Sequence, residues 1–404
     1  MVTQPLKGLR VVELSHMVMA PSCGLVLADL GADVIKVEPP GGDKTRRLGG
    51  SGAGFFPAFN RNKRSLMVDL KSREGRQLTR RLVADADILI ENFRPGALAG
   101  YGLDYETVSA AHPRLVYCSL KGFLSGPYEH RVALDEVVQM MGGLAYMTGP
   151  PGRPLRAGTS INDIMGGVFG VVGILAAIHE RSRTGRGQLV RAALFENNAF
   201  LVAQHIAQYA ASGVPAAPMP ARLSAWAVYD VFETMEGSQL FVGVVTDTQW
   251  TAFCEAFALS DLQGDPALRS NEQRVAARDG FMPRLRHLFL NMPIADAMAR
   301  CERIGLPFAP IFRPEDLLDD PHLAAGDGML DIAVAAGRRT RLPSLPLEMS
   351  GQRPSLRHDV PTPGADTAAI AGELGYSSSE LAELFGSGIL SGPRSKPTTE
   401  PEAL

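Results

Sequence analysis

Two largely apolar strands flank a short helix near the start of the chain, and this pattern constrains the fold more than any other feature. LRVVEL (9–14) reads as a strand. Pro21–Leu30 reads as a helix closed by Gly31, and ADVIKVE (32–38) reads as a second strand before PPGG breaks the chain. Two such strands around a helix predict a parallel βαβ unit. The pattern repeats in SLMVDLK (65–71), a helix over 72–85, ADILIENF (86–93) and RLVYCSLKGF (114–123). The first 125 residues therefore predict a doubly wound parallel sheet of the α/β class.

Residues 135–208 read as mostly helical, and Asp163–Arg181 is the clearest helix. Gly166, Gly170 and Gly173 give it a face without side chains, which close helix packing explains best. The basic turn ERSRTGRG ends it, with Gly185 as C-cap. The expected organisation is a large domain over 1–210, a Pro/Ala-rich linker over 211–225 and a smaller α+β domain over 226–325. A return segment over 326–390 completes the large domain, and 391–404 form a flexible tail. The small domain starts with a hairpin turning at Glu236 and Gly237. Helices follow over 247–258, 271–290 and 293–304, and another follows Ser377.

Charge and composition exclude several classes. Forty Lys and Arg against 43 Asp and Glu leave a net charge of −3, which excludes a generally basic nucleic-acid binder. Four cysteines without a CxxC and eight histidines without ligand spacing predict no metal site. Reduced thiols fit a cytoplasmic protein, and the N-terminus lacks the apolar stretch of a signal peptide. The apolar run Ile164–Ile178 is short of the about 20 residues that span a membrane, so it predicts a buried helix. The turn SHMVMAPSCG lacks Gly-x-Gly-x-x-Gly, which argues against a dinucleotide even though Glu38 stands where a ribose acid would fall. Arg46, Arg47, Arg61, Lys63, Arg64 and Lys71 read as a solvated face, with phosphate binding as the lesser alternative.

Asp163 is the carboxylate of most interest. Ser160 and Asp163 fit a capping box, so helix capping is its first reading. A carboxylate at a helix N-terminus can also serve as a nucleophile, with first-turn N–H groups free to stabilise an oxyanion.

Longer strings carry a resemblance. LKGLRVVELSHMVMAPSCGLVLADLGADVIKVEPPGGD, NRNKRSLMVDLKSREG, ADILIENFRPGAL and GTSINDIMGGVFGVVGILAAIHERSRTGRGQLV resemble the class III CoA-transferases. DTQWTAFCEAF, GLPFAPIFRPEDLLDDPHL and LPSLPLEMS extend the likeness over nearly the whole chain. This family groups formyl-CoA transferase, carnitine CoA-transferase and α-methylacyl-CoA racemase.

The resemblance implies a homodimer of interlocked rings. It implies acyl-CoA and a carboxylic acid as substrates, with no permanently bound cofactor and no nucleic-acid or membrane partner. Asp163 aligns with the family's catalytic aspartate, so it would cap and react. Val68, Lys71, Asn92, Phe93 and Arg94 match CoA-contacting segments. Three positions depart from formyl-CoA transferase: Gly100 replaces an arginine, Val18 a glutamine and Leu134 a tyrosine. A site tuned for formate and oxalate is therefore not expected. Leu134 also stands where the racemase branch has a histidine before an aspartate, which favours transfer over racemisation. His16, Arg131 and Arg156 are candidates to pair with the second carboxylate of a dicarboxylate, with succinyl-CoA as a suitable donor. An acyl-CoA racemase, an intramolecular CoA isomerase and a noncatalytic CoA-binding homologue are the alternatives.

Overall fold

The structure, a computed structural model, describes residues 4–392 except 223 and 336. The chain divides into two units, Met1–Pro220 with Pro321–Leu404, and Ala221–Asp320. Most of the tail expected over 391–404 lies outside the described residues.

The first unit is built on a seven-stranded sheet. Its strands β1 (Arg10–Leu14), β2 (Asp33–Glu38), β3 (Lys63–Val68), β4 (Ile88–Glu91), β5 (Val116–Lys121) and β6 (Leu189–Ala193) stand in the order β3-β2-β1-β4-β5-β6 and run parallel. The chain leaves β1 towards β2 and β3, then returns to β4 on the other side of β1. That reversal is the topological switch point of a doubly wound sheet. Val11 and Val12 face opposite sides of β1, yet each is 0% exposed. Val11 packs with Leu27, Ile88 and Ile174, and Val12 with Leu66, Leu82 and Leu89. Cover on both faces is why these strands read as apolar runs rather than alternating ones.

The helix after β1 spans Met19–Asp29. Pro21 sits in its first turn, where a missing N–H costs nothing. The long helix Ile161–Thr184 lies against it. A Cβ on Gly167 would fall 2.7 Å from the Met19 carbonyl oxygen and 2.9 Å from the Cys23 nitrogen. One on Gly173 would fall 2.5 Å from Val190 of β6. The glycine face is therefore a packing face for one helix and one strand. The opposite face is not buried: Val168, Phe169, Val172 and Leu175 are exposed. This corrects the expectation of a wholly buried helix. By length and composition alone the helix would reach across a membrane, but its glycine face is committed to the sheet.

Three other expectations change. Residues 135–208 contain β6 as well as helices, because GQLVRAA pairs with β5 from Tyr117–Leu189 to Lys121–Ala193. The 377–390 segment forms the helix Ser378–Gly386, closed at its start by a Ser377/Glu380 capping box. It then adds a short strand at Leu390–Ser391, antiparallel to β3. Four of the six basic residues are committed to ion pairs rather than to solvent or phosphate, while Arg47 and Lys71 are exposed. Arg61 pairs with Asp29 at 2.7 Å, Lys63 with Glu13 at 2.8 Å and Arg64 with Glu373 at 2.5 Å. Arg46 pairs with Glu38 at 2.6 Å, so no ribose acid is on offer. Burial would raise the Glu38 pKa, but Arg46, the Asp43 N–H and Ser65 hold it below the usual carboxylate value.

The most buried charges lie under the switch point. Glu13, Lys36 and Lys63 are each 0% exposed at the side chain. Lys36 Nζ reaches Glu13 at 3.4 Å and Asp43 at 3.1 Å, and donates to the Ser15 carbonyl at 3.0 Å. Burial lowers the Lys63 pKa to about 8 against the pull of Glu13. The returning segment is laced to this unit at Asn62, whose side-chain carbonyl accepts from the backbone of Arg357 and His358. It also contains an antiparallel hairpin, Met329–Ala335 with Arg338–Pro343.

The second unit holds a three-stranded antiparallel sheet: Val228–Glu233, Gln239–Val244 and Phe308–Pro310. Gly237, at φ +74°, turns its hairpin. The core includes Phe232 stacked on Phe289 at 4.5 Å, with Phe253, Leu285 and Cys301 around them. The helix expected over 271–290 is two, Asn271–Ala276 and Arg278–Leu290.

The two kinds of helical glycine predict opposite outcomes in urea unfolding. Gly167→Ala destabilises the chain by about 1–3 kcal/mol, because backbone must move. Gly280→Ala, in open space within Arg278–Leu290, stabilises it by about 0.5–1 kcal/mol.

Candidate active site

The chain leaves β1 through Ser15, His16 and Met17, and leaves β4 through Asn92 and Phe93. In an open α/β sheet, ligands bind outside the carboxyl ends of the strands at the switch point. Here Asn92 bridges the two exits. Its carbonyl oxygen accepts from the His16 N–H at 3.1 Å, and its amide donates to the His16 carbonyl at 2.9 Å. The Phe93 ring lies 5.5 Å from the His16 ring. Met17 has φ +62°, a left-handed conformation uncommon for a side chain of this kind. Its N–H donates to Thr45 Oγ1 at 3.0 Å, and Asp43 holds Thr45 through both its N–H and its hydroxyl. Desolvation lowers the His16 pKa, and Lys36 adds to it against Asp43 and Asn92. These surroundings weigh against the charged imidazole.

Asp163 stands in the first turn of the long helix. The four amides at a helix N-terminus need partners from outside the helix. Ser160, at the N-cap, supplies no side-chain hydrogen bond. Asp135 supplies the cap instead: its Oδ2 accepts from the Asn162 N–H at 2.7 Å and the Asp163 N–H at 3.1 Å. The capping-box expectation is therefore corrected, since Asp163 does not cap. The same contacts occupy amides that had been candidates for an oxyanion. The other Asp135 oxygen accepts from the Gln139 amide, and Gln139 in turn accepts from the Ala157 N–H at 2.8 Å. Behind them, Asn162 is fully buried and bonded to Asn197 and Asn198, at 3.1 Å each.

Among the described residues, no donor reaches the Asp163 carboxylate. Burial raises its pKa to about 7, and Asp135 adds to the rise while Arg156 opposes it. The Asp163 carbonyl accepts a long bond, 3.5 Å, from the Ser22 hydroxyl on the helix that follows β1.

The structure thus brings His16, Asn92 and Phe93 together. It gathers Asp163 with Asp135 and Gln139, and ties that helix to the one leaving the switch point. Among the described residues, no hydrogen bond or ion pair joins Lys71, Arg94 or Arg131 to either group, whereas Val68 belongs to the apolar cluster against which Phe93 packs. Val68 ends β3, buried in the core and paired with Leu390. Lys71 and Arg94 are exposed just beyond β3 and β4. Arg131 is exposed and lies over the Tyr128 ring at 4.9 Å. Leu134 is exposed ahead of the helix Asp135–Met141. Asp135, Gln139 and Thr45 escaped sequence reasoning. Asp135 and Gln139 share one buried helix face with Val138, and polar residues on such a face are the signal that was available.

A switch point whose outgoing helix is tied to the helix bearing a desolvated carboxylate has the features of an enzyme site. The sequence profile of CoA-transferase family III matches residues 6–367. The chain is 35% identical to the succinate–glutarate CoA-transferase of Agrobacterium fabrum, over 92% of this chain and 96% of that one. It is 33% identical to the succinyl-CoA–D-citramalate CoA-transferase of Chloroflexus aurantiacus, over 81% of this chain and 84% of that one. The crystal structure of a CAIB/BAIF family protein from Brucella suis superposes with a TM-score of 0.83 at 36% identity, covering 93% of this chain and all of that one. The chain belongs to CoA-transferase family III, as the resemblance in its motifs implied.

The raised pKa of Asp163 has a stability consequence. In the unfolded chain the group ionises near its ordinary value, so the folded state bears a growing penalty as pH rises from about 4 to about 7. Asp163→Asn is expected to stabilise the protein at pH 8, on the order of 1–2 kcal/mol once partial exposure is discounted. The gain should vanish by pH 4, as thermal unfolding across that range will show.

Proposed function

We propose that this enzyme moves CoA from succinyl-CoA to a dicarboxylic acid, with Asp163 carrying the CoA between them. The observation that supports this most is the Asp163 carboxylate itself: desolvated, without a donor, and beside a helix cap supplied by another residue. A carboxylate stabilised by no hydrogen bond keeps its electron pair available for attack. The relatives named above act on succinate and glutarate, or on succinyl-CoA and citramalate, which are dicarboxylates.

Ionised Asp163 attacks the thioester carbonyl of succinyl-CoA. The C–S bond breaks, leaving a mixed anhydride on Asp163 and CoA thiolate. The thiolate attacks the aspartyl carbonyl, which releases succinate and leaves an aspartyl-CoA thioester. The acceptor carboxylate attacks that thioester, and the released thiolate then takes the acceptor acyl group from the new anhydride and frees Asp163. Each step exchanges one activated acyl bond for another, so positioning and exclusion of water matter most. Asn92 and Phe93 at the switch point, with Val68, Lys71 and Arg94 along the strand ends, provide the CoA path in this reading. Exposed Lys71 and Arg94 are suited to its phosphates. Leu134 offers no proton-transfer group, which disfavours the racemase alternative.

A homodimer completes the reading. Val168, Phe169, Val172 and Leu175 form an exposed apolar face on the long helix, and Phe200 extends it by an edge contact with Phe169 at 5.6 Å. A second copy of the chain, threaded as the resemblance implies, would cover it. Four unpaired cysteines suit a reducing, cytoplasmic setting.

The decisive experiment is a donor–acceptor screen of succinyl-CoA against mono- and dicarboxylic acids. Asp163→Ala should lose at least about a thousandfold in transfer. Hydroxylamine added with succinyl-CoA should leave a modified Asp163 in the wild type, read by mass spectrometry. Undiminished transfer by Asp163→Ala would overturn the assignment. The wild-type kcat/KM should rise with pH through about 7, where Asp163 ionises. Asp135→Asn removes the neighbouring like charge and should move that midpoint downward.

A further inference from the structure

We propose that Arg156 binds the free carboxylate of the dicarboxylic substrates and that Glu136 holds its place until one arrives. This rests on the reading of Asp163 as the nucleophile that forms an anhydride with each acid, and of the acids as dicarboxylates. When one carboxylate of such an acid is joined to Asp163, the other remains charged a few bonds away. Leaving it unpaired in a desolvated site is costly, so the site needs a cation within reach of Asp163.

Several other cations of this unit are already engaged. Lys36 and Lys63 are buried on Glu13, and Lys121 pairs with Glu91 at 2.7 Å. Arg191 is bonded to Glu129 and Ser125, and Arg131 rests on the Tyr128 ring. The surroundings of His16 weigh against its charged form. Arg156 differs in three ways. Its charge bears on Asp163, opposing burial and Asp135 there. Its backbone is fixed on both sides: the Leu155 N–H donates to the Ala145 carbonyl at 3.0 Å, and the Ala157 N–H to Gln139 at 2.8 Å. Gln139 is also bonded to Asp135, so Arg156 and the Asp163 helix are referenced to one carboxylate. Finally, its guanidinium ends on a partner it can release. Nη1 meets Glu136 Oε1 at 2.7 Å, with the two side chains 37% and 56% exposed.

An exposed ion pair of this kind contributes about 0–1 kcal/mol, so it yields readily. A substrate carboxylate held by a guanidinium fork gains geometry as well as charge. The Nε–H bond to the Ala157 carbonyl, 3.1 Å, fixes the direction of that fork. Glu136 thus holds the Arg156 guanidinium at partial exposure, and competes weakly with the acid.

The test compares glutarate with its monomethyl ester as acceptors, at saturating succinyl-CoA. Both can receive CoA, but the ester lacks the second charge. Any effect on the donor step is common to both and cancels in their ratio of kcat/KM. Arg156→Gln should lower the glutarate-to-ester ratio by at least tenfold, mainly through the KM of glutarate, and Arg156→Lys should restore part of it. Glu136→Gln should do the reverse and lower the glutarate KM about two- to fivefold. A purely structural Arg156–Glu136 pair would make the Glu136 and Arg156 variants fail alike, for both acids, and would overturn the proposal. So would an unchanged ratio in Arg156→Gln. A wild-type enzyme that transfers CoA to no dicarboxylate would sink the proposed function and this assignment together. A wild type that does so, with a ratio insensitive to Arg156, sinks only this assignment.

Discussion

The carboxylate of Asp135 on the first-turn amides of the long helix is the interaction on which the site depends. A helix N-terminus must find acceptors, and the usual solution is a residue of the same turn. Here the acceptor comes from the start of a different helix. Two results follow from that substitution. Asp163, which has the local sequence of a capping residue, is left with its side chain uncommitted. It also acquires a second carboxylate as a neighbour, which favours its protonated form. Burial is the larger cause of that shift, and the Asp135 cap adds to it. The buried amides of Asn162, Asn197 and Asn198 hold the turn from behind, so the geometry does not rely on Asp135 alone.

Much of the fold was legible because its signals are local. Strands covered on both faces show as apolar runs, and the glycine spacing of the long helix announces a close approach. Short strands were the harder case. β6 and Leu390–Ser391 are defined by the neighbour they pair with, and their own residues carry little periodicity. The basic group around Arg61 and Lys63 was misread for a related reason. Its carboxylate partners, Asp29 and Glu13, lie far back in sequence, and burial of a charge pair leaves no trace in a linear charge pattern.

The candidate site divides in the same way. Asp163 and the Asn92–Phe93 pair could be named from motifs, because a family resemblance carries residues over whole. Asp135 stands at the aspartate of the segment compared with the racemase branch, but its role and that of Gln139 lie in contacts across helices that no motif records. Composition could not separate a capping aspartate from a reactive one. Only the identity of the actual cap does so, and that is a tertiary fact.

The charges beneath the switch point have a consequence for how the sheet comes together. Glu13, Lys36 and Lys63 belong to β1, β2 and β3, while Asp43 comes from the turn after β2. No one of them can leave water by itself without a penalty of several kcal/mol. A half-assembled sheet, with two of these strands docked and the third still hydrated, would strand an ion in its interior. Docking of each strand and of the turn therefore favours docking of the others, which couples the strand ends at the switch point to the assembly of the whole sheet.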